Sequence, residues 1–264
     1  MKKRVISAAV LIVLLLALIP FEATRVLFFG IAGGICAWEY AMNLRREKGI
    51  RCTQWVFYAY LAMQAFLTLT HSGLMAYMAW FIVAVFLALY SGVLHKDVSG
   101  EGAVFTLAGL SYPCFIFAVG MIIAVSARWA QTLALGFLST WLCDIFALLG
   151  GKRFGKHKLA PEISPKKTVE GSICGAAASL LAGLAVYIVS RFWMPIPFIP
   201  CMVTALVAST LGQIGDLTES LIKRYLGVKD FSNLIPGHGG MFDRCDSLMF
   251  SIPGAYLCLY LFGL

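Results

Sequence analysis

Apolar stretches long enough to cross a membrane recur along almost the whole chain. Nine can be recognised, at residues 5–21, 26–42, 55–70, 74–94, 103–125, 130–150, 172–190, 197–216 and 247–264. A helix that crosses the hydrocarbon core of a bilayer needs about 17 to 25 such residues. The pattern therefore predicts an all-α, polytopic membrane helix bundle with about nine transmembrane helices.

The composition excludes the soluble alternatives. Of the 264 residues, 60% are hydrophobic and 13% are charged, whereas roughly 25% of the residues of an ordinary soluble domain are charged. A soluble fold of this size still exposes about a quarter of the surface of its unfolded chain, so it could not keep so much apolar surface from water. A soluble globular enzyme, a disordered tail and a coiled coil are excluded.

The basic residues predict the orientation. With the N-terminus in the cytoplasm, 18 of the 21 Lys and Arg residues fall in cytoplasmic segments, and the remaining three are Arg25, Arg128 and Arg191. Because cytoplasmic loops are enriched in Lys and Arg, we expect a cytoplasmic N-terminus and an outside C-terminus in the cell inner membrane. No small-x-small cleavage site follows stretch 5–21, which we expect to be an uncleaved helix.

The two longest polar loops, 151–171 and 217–246, both lie in the second half of the chain and on the predicted cytoplasmic side. We therefore expect an N-terminal region of transmembrane helices at 1–125. The C-terminal region, 126–264, is expected to be the catalytic transmembrane region that carries the two loops. The net charge of +8 fits cytoplasmic loops of this kind, and it also fits an anionic partner such as lipid headgroups or nucleotide.

The most polar segment begins at the end of the eighth apolar stretch. Asp216, Glu219, Ser220 and Lys223 have the spacing i, i+3, i+4, i+7. They share one face if the helix continues into the cytoplasm. An ionised carboxylate near membrane depth costs free energy unless it is paired, hydrated or bound to a metal, so Asp216 is either a structural partner of a neighbouring cation or a functional group.

A glycine-rich turn, 236–240, precedes the last apolar stretch. Such a turn at the start of a helix can hold a phosphate through its backbone N–H groups, although a plain turn between helices has the same composition. Asp243 and Asp246 follow it, three residues apart. A helix that begins there would point both carboxylates the same way.

The loop at 151–171 carries six basic residues among Pro and Gly. It is either a positive cytoplasmic loop that contacts anionic lipid headgroups or a clamp for phosphate groups. In the second interpretation Lys166, Lys167 and Thr168 present two cations and a hydroxyl at one place. Two further carboxylates lie in apolar stretches: Asp144 is a possible site residue or a paired carboxylate, and we interpret Glu39 as structural.

Acidic and basic clusters on the same side of the membrane have one simple chemical explanation. Carboxylates hold Mg²⁺, and Lys and Arg hold the phosphate oxygens around it. The sequence has no metal-ligand spacing of His and Cys, which argues against zinc. It also has no P-loop motif and no dinucleotide-binding glycine motif. We expect a nucleotide and membrane lipids as partners, and no nucleic acid.

These residues resemble the signature of the phosphatidate cytidylyltransferase family, also called CDP-diglyceride synthetases. Twelve fixed positions of that signature are filled in register: Ser220, Lys223, Arg224, Lys229, Asp230, Pro236, His238, Gly239, Gly240, Asp243, Arg244 and Asp246. Residues 154–171 and Asp144 are similar to the same family. With the hydropathy profile, the resemblance covers most of the chain.

The resemblance implies a reaction of CTP with phosphatidic acid that gives CDP-diacylglycerol and pyrophosphate. It implies dependence on Mg²⁺, an active site at the cytoplasmic face, and a possible homodimer. We expect Asp216, Asp246 and Asp243 to be the metal ligands. These three, with Lys223 and Arg244, form the expected catalytic set. The residues expected to bind substrate phosphates or the lipid headgroup are Lys166, Lys167, Ser220, Arg224, Lys229, His238, Gly239 and Gly240; His238 either donates to a phosphate or braces the turn.

Other functions stay open at this point. A CTP-dependent lipid kinase, or a cytidylyltransferase acting on another anionic lipid, would keep the metal, the nucleotide and the membrane but change the transferred group or the acceptor. A secondary transporter of an anionic solute belongs to a different class. It predicts inverted repeats and broken helices at the middle of the membrane, and the sequence shows neither feature.

Overall fold

The structure is a computed structural model that describes residues 20–235, 237 and 239–264. Residues 5–19 of the expected first helix therefore lie outside the described residues. Six helices of the described part are long and apolar enough to cross a membrane: Glu22–Lys48, Leu74–Leu94, Gly100–Ala124, Trp129–Phe154, Val169–Ser190 and Phe198–Leu226. The prediction of an all-α, multi-pass membrane protein is confirmed at this level, whereas nine spans and the orientation of the termini stay predictions.

The chain divides into two compact units, and each contains residues from two separate ranges of the sequence. The first comprises the described residues up to Val125 together with Leu226–Arg244. Its helices are α1 (Glu22–Lys48), α2 (Gln54–Leu69), α3 (Leu74–Leu94), α4 (Gly100–Gly109) and α5 (Phe115–Ala124), with a π-helical segment at Leu110–Cys114 between the last two. The division into membrane and catalytic regions expected from the sequence stays a prediction.

Helix α1 ends at a glycine. Gly49 follows its last residue in the left-handed conformation and donates its N–H to the carbonyl of Arg45, and the N–H of Ile50 donates to the carbonyl of Leu44. This is the usual glycine termination of a helix. Arg45, Arg46 and Lys48 lie in the last turn, where positive charges interact favourably with the helix dipole.

The second unit comprises Ser126–Tyr225 and Cys245–Leu264. Its elements are α6 (Trp129–Phe154), β1 (Lys158–Ala160), β2 (Ser164–Thr168), α7 (Val169–Ser190), α8 (Phe198–Leu226) and α10 (Leu248–Leu261). A short helix, α9 (Phe242–Cys245), contains the point where the chain leaves the first unit. The core of the second unit includes a buried hydrophobic cluster of Leu135, Val186, Ile196, Cys201, Ala205, Ala208, Ala255 and Leu259.

A β-hairpin in the loop after α6 is an addition to the expected all-α fold. Strands β1 and β2 pair antiparallel, with Lys158 opposite Thr168 and Ala160 opposite Ser164. The Thr168 side chain then accepts the N–H of Gly171, which caps the start of α7. The basic loop is therefore an ordered element that leads directly into a membrane helix.

Helix α8 is longer than a bilayer requires. Its 29 residues give a length of about 43 Å, compared with about 30 Å of hydrocarbon. It therefore continues to Leu226, well past the apolar stretch that ends at 216, and places Asp216 and the following polar residues on its last three turns. Lys223 and Arg224 lie in the final turn.

The segment before α10 packs closely against α8, beside the polar residues at the end of that helix. A Cβ atom on Gly215 would lie 2.5 Å from the carbonyl oxygen of Asp246, a distance that no larger residue tolerates. The glycine therefore lets the backbone of α8 approach the turn at Asp246 and Ser247. This approach sets Asp216, the next residue of α8, beside Asp246.

Candidate active site

Three carboxylates of the second unit form a cluster. Asp216, Glu219 and Asp246 each offer one oxygen, and these oxygens all lie within 4.8 Å of one another. Asp216 and Glu219 are three residues apart on α8 and share a face of the helix. Glu219 is completely buried, and the other two are half-buried.

The close approach of the carboxylates affects Asp246, which lies in the turn before α10. Burial, and then the charge of Asp216, raises the pKa of the Asp246 carboxyl to about 6, although the N–H of Ser247, 2.6 Å from Oδ1, acts in the opposite direction. Carboxylates held this close repel one another in their ionised form. A bound cation is the usual means of relieving such repulsion.

Two lysines neutralise part of the cluster. Lys167, on β2, contacts Oδ2 of Asp216 through its ammonium group. Lys223 lies one turn after Glu219 on α8, with its Nζ 2.5 Å from Glu219 Oε2. Asp144, on α6, interacts electrostatically with both Asp216 and Lys167.

The charges of these six side chains do not balance. The cluster contains four carboxylates and two ammonium groups, so its acidic groups outnumber its basic groups. The three clustered ligands are all carboxylates, the hard oxygen donors that Mg²⁺ prefers and zinc sites seldom use alone. The donor set therefore fits Mg²⁺, with Asp216, Glu219 and Asp246 as the residues that would hold it.

The basic clamp expected at Lys166, Lys167 and Thr168 has a different arrangement. Consecutive residues of a strand point to opposite faces, so Lys167 contacts Asp216 while Lys166 is exposed. The Thr168 hydroxyl caps α7. Of the two lysines, Lys167 is the one that belongs to the carboxylate cluster.

Two further expected residues of α8 lie beside the cluster. The Ser220 hydroxyl is 3.5 Å from Asp216 Oδ1. Arg224 is exposed, and its Nε donates to the carbonyl of Ile163 at 3.1 Å. Because Ile163 lies in the turn between β1 and β2, this bond fastens the hairpin to α8.

The remaining expected residues that the structure describes lie in the first unit. Asp243 is buried, and its Oδ2 accepts the N–H groups of Phe231 at 2.9 Å and Gly240 at 2.8 Å. Lys229 and Arg244 are exposed. Gly239 has a positive φ and lies beside Asp243, whereas His238 is outside the described residues.

The expectation that Asp243 and Asp246 project from one continuous helix was wrong. Helix α9 ends at Cys245, and α10 begins at Leu248. Asp246 therefore lies in a turn, and Asp243 is engaged by backbone N–H groups of its own segment. The role of Asp243 as a metal ligand stays a prediction. Glu219 belongs to the carboxylate cluster. The only sign of this in the sequence was its helical spacing from Asp216.

These features define the general class of the chain. It is a polytopic helical membrane protein in which carboxylates and lysines gather near the end of one long helix. Its family is shown by a wider comparison. The chain belongs to the cytidylyltransferase family, whose model matches residues 2–262. The resemblance based on the signature residues is thereby confirmed at the level of the family.

Several curated proteins named phosphatidate cytidylyltransferase are similar to the chain. The protein of Bacillus subtilis (strain 168) is 46% identical over 123 residues, which are 47% of this chain and 45% of that protein. The protein of Staphylococcus aureus (strain COL) is 49% identical over 117 residues, 44% of each chain. That of Staphylococcus saprophyticus is 38% identical over 175 residues, 65% of each chain. The matched part thus spans less than half of the first two relatives.

Proposed function

We propose that this chain is a phosphatidate cytidylyltransferase, which converts CTP and phosphatidic acid to CDP-diacylglycerol and pyrophosphate in phospholipid biosynthesis. The family and the names of the curated relatives support the reaction class. The observation that carries the proposal is the cluster of Asp216, Glu219 and Asp246 with Lys167 and Lys223. It combines ligands for a cation with groups that attract phosphate.

The reaction exchanges one phosphoanhydride bond for another. A phosphate oxygen of phosphatidic acid forms a bond to the α-phosphorus of CTP, and the bond from that phosphorus to the β-phosphate oxygen breaks. Pyrophosphate leaves with the electron pair. The attacking phosphate has a second pKa of about 6 as a phosphomonoester, so it is already anionic at neutral pH and needs no general base.

The residues therefore have to overcome repulsion between two anions. Lys167 and Lys223 hold positive charge beside the carboxylates, where they can offset the charge of the incoming phosphates. Catalysis is then mainly positioning and charge neutralisation, as in other transfers of phosphoryl groups. When bound by the cluster, Mg²⁺ supplies the positive charge that stabilises the departing pyrophosphate.

Other residues are proposed to bind substrate. Arg244 and Arg224 suit phosphate oxygens because the guanidinium group offers paired donors. Lys229 and Lys166 are exposed cations available to the nucleotide or to the lipid headgroup. Ser220, Gly239, Gly240 and His238 complete the proposed substrate-binding set, and Asp243 is retained as a catalytic candidate.

We also propose the membrane arrangement. The chain has nine spans with its N-terminus in the cytoplasm and its C-terminus outside, in the cell inner membrane. Loops 151–171 and 217–246 then face the cytoplasm, where CTP is present. The concentration of 18 of the 21 Lys and Arg residues on that side supports this topology. We also propose a homodimer, because the family resemblance implies one.

The direct test follows the label from CTP to lipid. Purified protein with Mg²⁺ and phosphatidic acid in mixed micelles should transfer the α-phosphate label of CTP to lipid and release the γ label as pyrophosphate. A γ label found in lipid would instead identify a lipid kinase. A panel of anionic lipids tests the acceptor, and no transfer to any lipid would contradict the proposal.

A further inference from the structure

A buried carboxylate of the first unit contacts both flanks of the glycine-rich segment, residues 231–242. Glu39, in the middle of α1, has no exposed surface. Its carboxylate accepts hydrogen bonds from the Ser232 hydroxyl at 2.5 Å, from the N–H of Met241 at 3.0 Å and from the N–H of Phe242 at 2.8 Å. The partners lie 193 to 203 residues further along the chain.

The segment is shaped to accept this carboxylate. A Cβ atom on Gly240 would lie 2.5 Å from Glu39 Oε1, so a larger residue there would require the Glu39 carboxylate or the turn to shift. Asn43, one turn further along α1, donates to the carbonyl of Phe231 at 2.7 Å and to that of Glu39 at 2.7 Å. Helix α1 thus holds both ends of residues 231–242.

A second carboxylate holds the same segment from within. Asp243 accepts the N–H groups of Phe231 and Gly240, and the Phe231 ring stacks on that of Phe242 with centroids 4.3 Å apart. The backbone from Gly240 to Phe242 is therefore fixed by Glu39 on one side and Asp243 on the other. Arg244 follows Asp243 in the chain and is exposed.

We propose that Glu39 is a positioning residue for cytidylyl transfer, which fixes the backbone of residues 240–242 and thereby the direction of the Arg244 guanidinium. This inference rests on the proposed function, which assigns Arg244 to substrate phosphate. Glu39 itself contacts the protein's own N–H and hydroxyl groups.

The carboxylate of Glu39 is suited to this task. Its three partners in this segment all donate, and both oxygens of a carboxylate can accept. A glutamine of the same shape would turn an NH₂ group toward one of these donors. Removal of a partner from a buried donor is costly, because that donor has also lost its contact with water.

The first experiment compares Glu39→Gln with Glu47→Gln in the purified, full-length chain. Glu47 lies on the same helix but is exposed, so its substitution is the matched control. We expect Glu39→Gln to lower kcat/KM by about 10-fold to 100-fold, the size expected when a binding group is displaced. Hydrogen exchange of the backbone N–H groups of Met241 and Phe242 should become faster in Glu39→Gln and stay unchanged in Glu47→Gln.

The second experiment asks whether Glu39 acts through Arg244. In an Arg244→Lys background, which keeps the charge but loses the guanidinium geometry, Glu39→Gln should cost less than about 3-fold, because residues that act as a unit are not additive. A loss of equal size in both backgrounds would indicate a general structural effect and overturn the proposal. If Glu39→Gln does not fold, Ser232→Ala removes one bond to the same carboxylate and is put through the same cycle.

Failure of the proposed function and failure of the positioning role give different results. A wild-type chain that transfers no cytidylyl group contradicts the proposed function. An active wild-type chain whose rate changes less than 2-fold on Glu39→Gln contradicts the positioning role alone. Unchanged hydrogen exchange at Met241 and Phe242 would also overturn it.

Discussion

Lys167 and Asp216 are 49 residues apart in the chain, and the ammonium group of the first contacts the carboxylate of the second. The hairpin that carries Lys167 is fastened to α8 at a second point, where Arg224 binds the carbonyl of Ile163. Two polar segments that the sequence presents as separate loops therefore contribute to one cluster. Their combination gives the site both its negative ligands and its positive charge.

Substitution of Asp246 by asparagine should stop the reaction while the protein still folds and inserts. The change removes one charged ligand of the proposed cation, and we expect kcat to fall by more than about 100-fold. Activity is measured over a Mg²⁺ titration with purified protein. The control is Asp97→Asn, because Asp97 is exposed and forms a surface ion pair with Arg51, which contributes little. Near-normal activity of Asp246→Asn would remove this residue from the site.

Lys167→Ala should be far more harmful than Lys158→Ala. Both lysines belong to the hairpin, but Lys158 is exposed on β1, whereas Lys167 contacts Asp216. Loss of a charge that stabilises the phosphates should lower kcat/KM by about 100-fold, with Lys158→Ala within 2-fold of wild type. Steady-state kinetics with CTP varied provides the measurement. Equal effects of the two substitutions would refute the role of Lys167.

Gly215→Ala should damage both stability and activity. Its Cβ atom would meet the carbonyl oxygen of Asp246, and backbone cannot move aside as a flexible side chain can. We expect a loss of about 1–3 kcal/mol of stability together with reduced transfer, because Asp216 and Asp246 are forced apart. Gly100→Ala is the control, since a Cβ there meets nothing within 4 Å. Thermal unfolding in detergent and the transfer assay are compared for both variants.

Mg²⁺ should stabilise the folded protein against heat, because a ligand that binds only the folded state raises its stability. At 100 times the dissociation constant the gain is about 2.7 kcal/mol. Chelation with EDTA should reverse the gain, and Glu219→Gln should reduce it, because Glu219 is one of the three clustered ligands. Glu47→Gln should respond as wild type does. A Glu219→Gln variant with an undiminished Mg²⁺ response would exclude Glu219 as a ligand.

The sequence identified which polar residues share a helix face, but not which residues of other elements they contact. The helical period placed Asp216, Glu219 and Lys223 on one face of an extended helix, and α8 has that form. The same reasoning assigned Asp243 and Asp246 to a common helix, which the chain interrupts after Cys245. Local spacing describes only residues within one element, so it could not detect that interruption.

By itself, the sequence determined that the chain is an α-helical membrane protein of the cytidylyltransferase family. The length of an apolar stretch and the spacing of a motif can both be read from the linear order of the residues. Only the tertiary structure decided that Lys167 rather than Lys166 meets Asp216, that Glu219 joins the carboxylates, and that Glu39 holds the glycine-rich segment. These contacts join residues far apart in the chain. They depend on close approaches such as that of Gly215 to the Asp246 carbonyl and that of Gly240 to the Glu39 carboxylate, and the periodicity of the sequence does not record such distances.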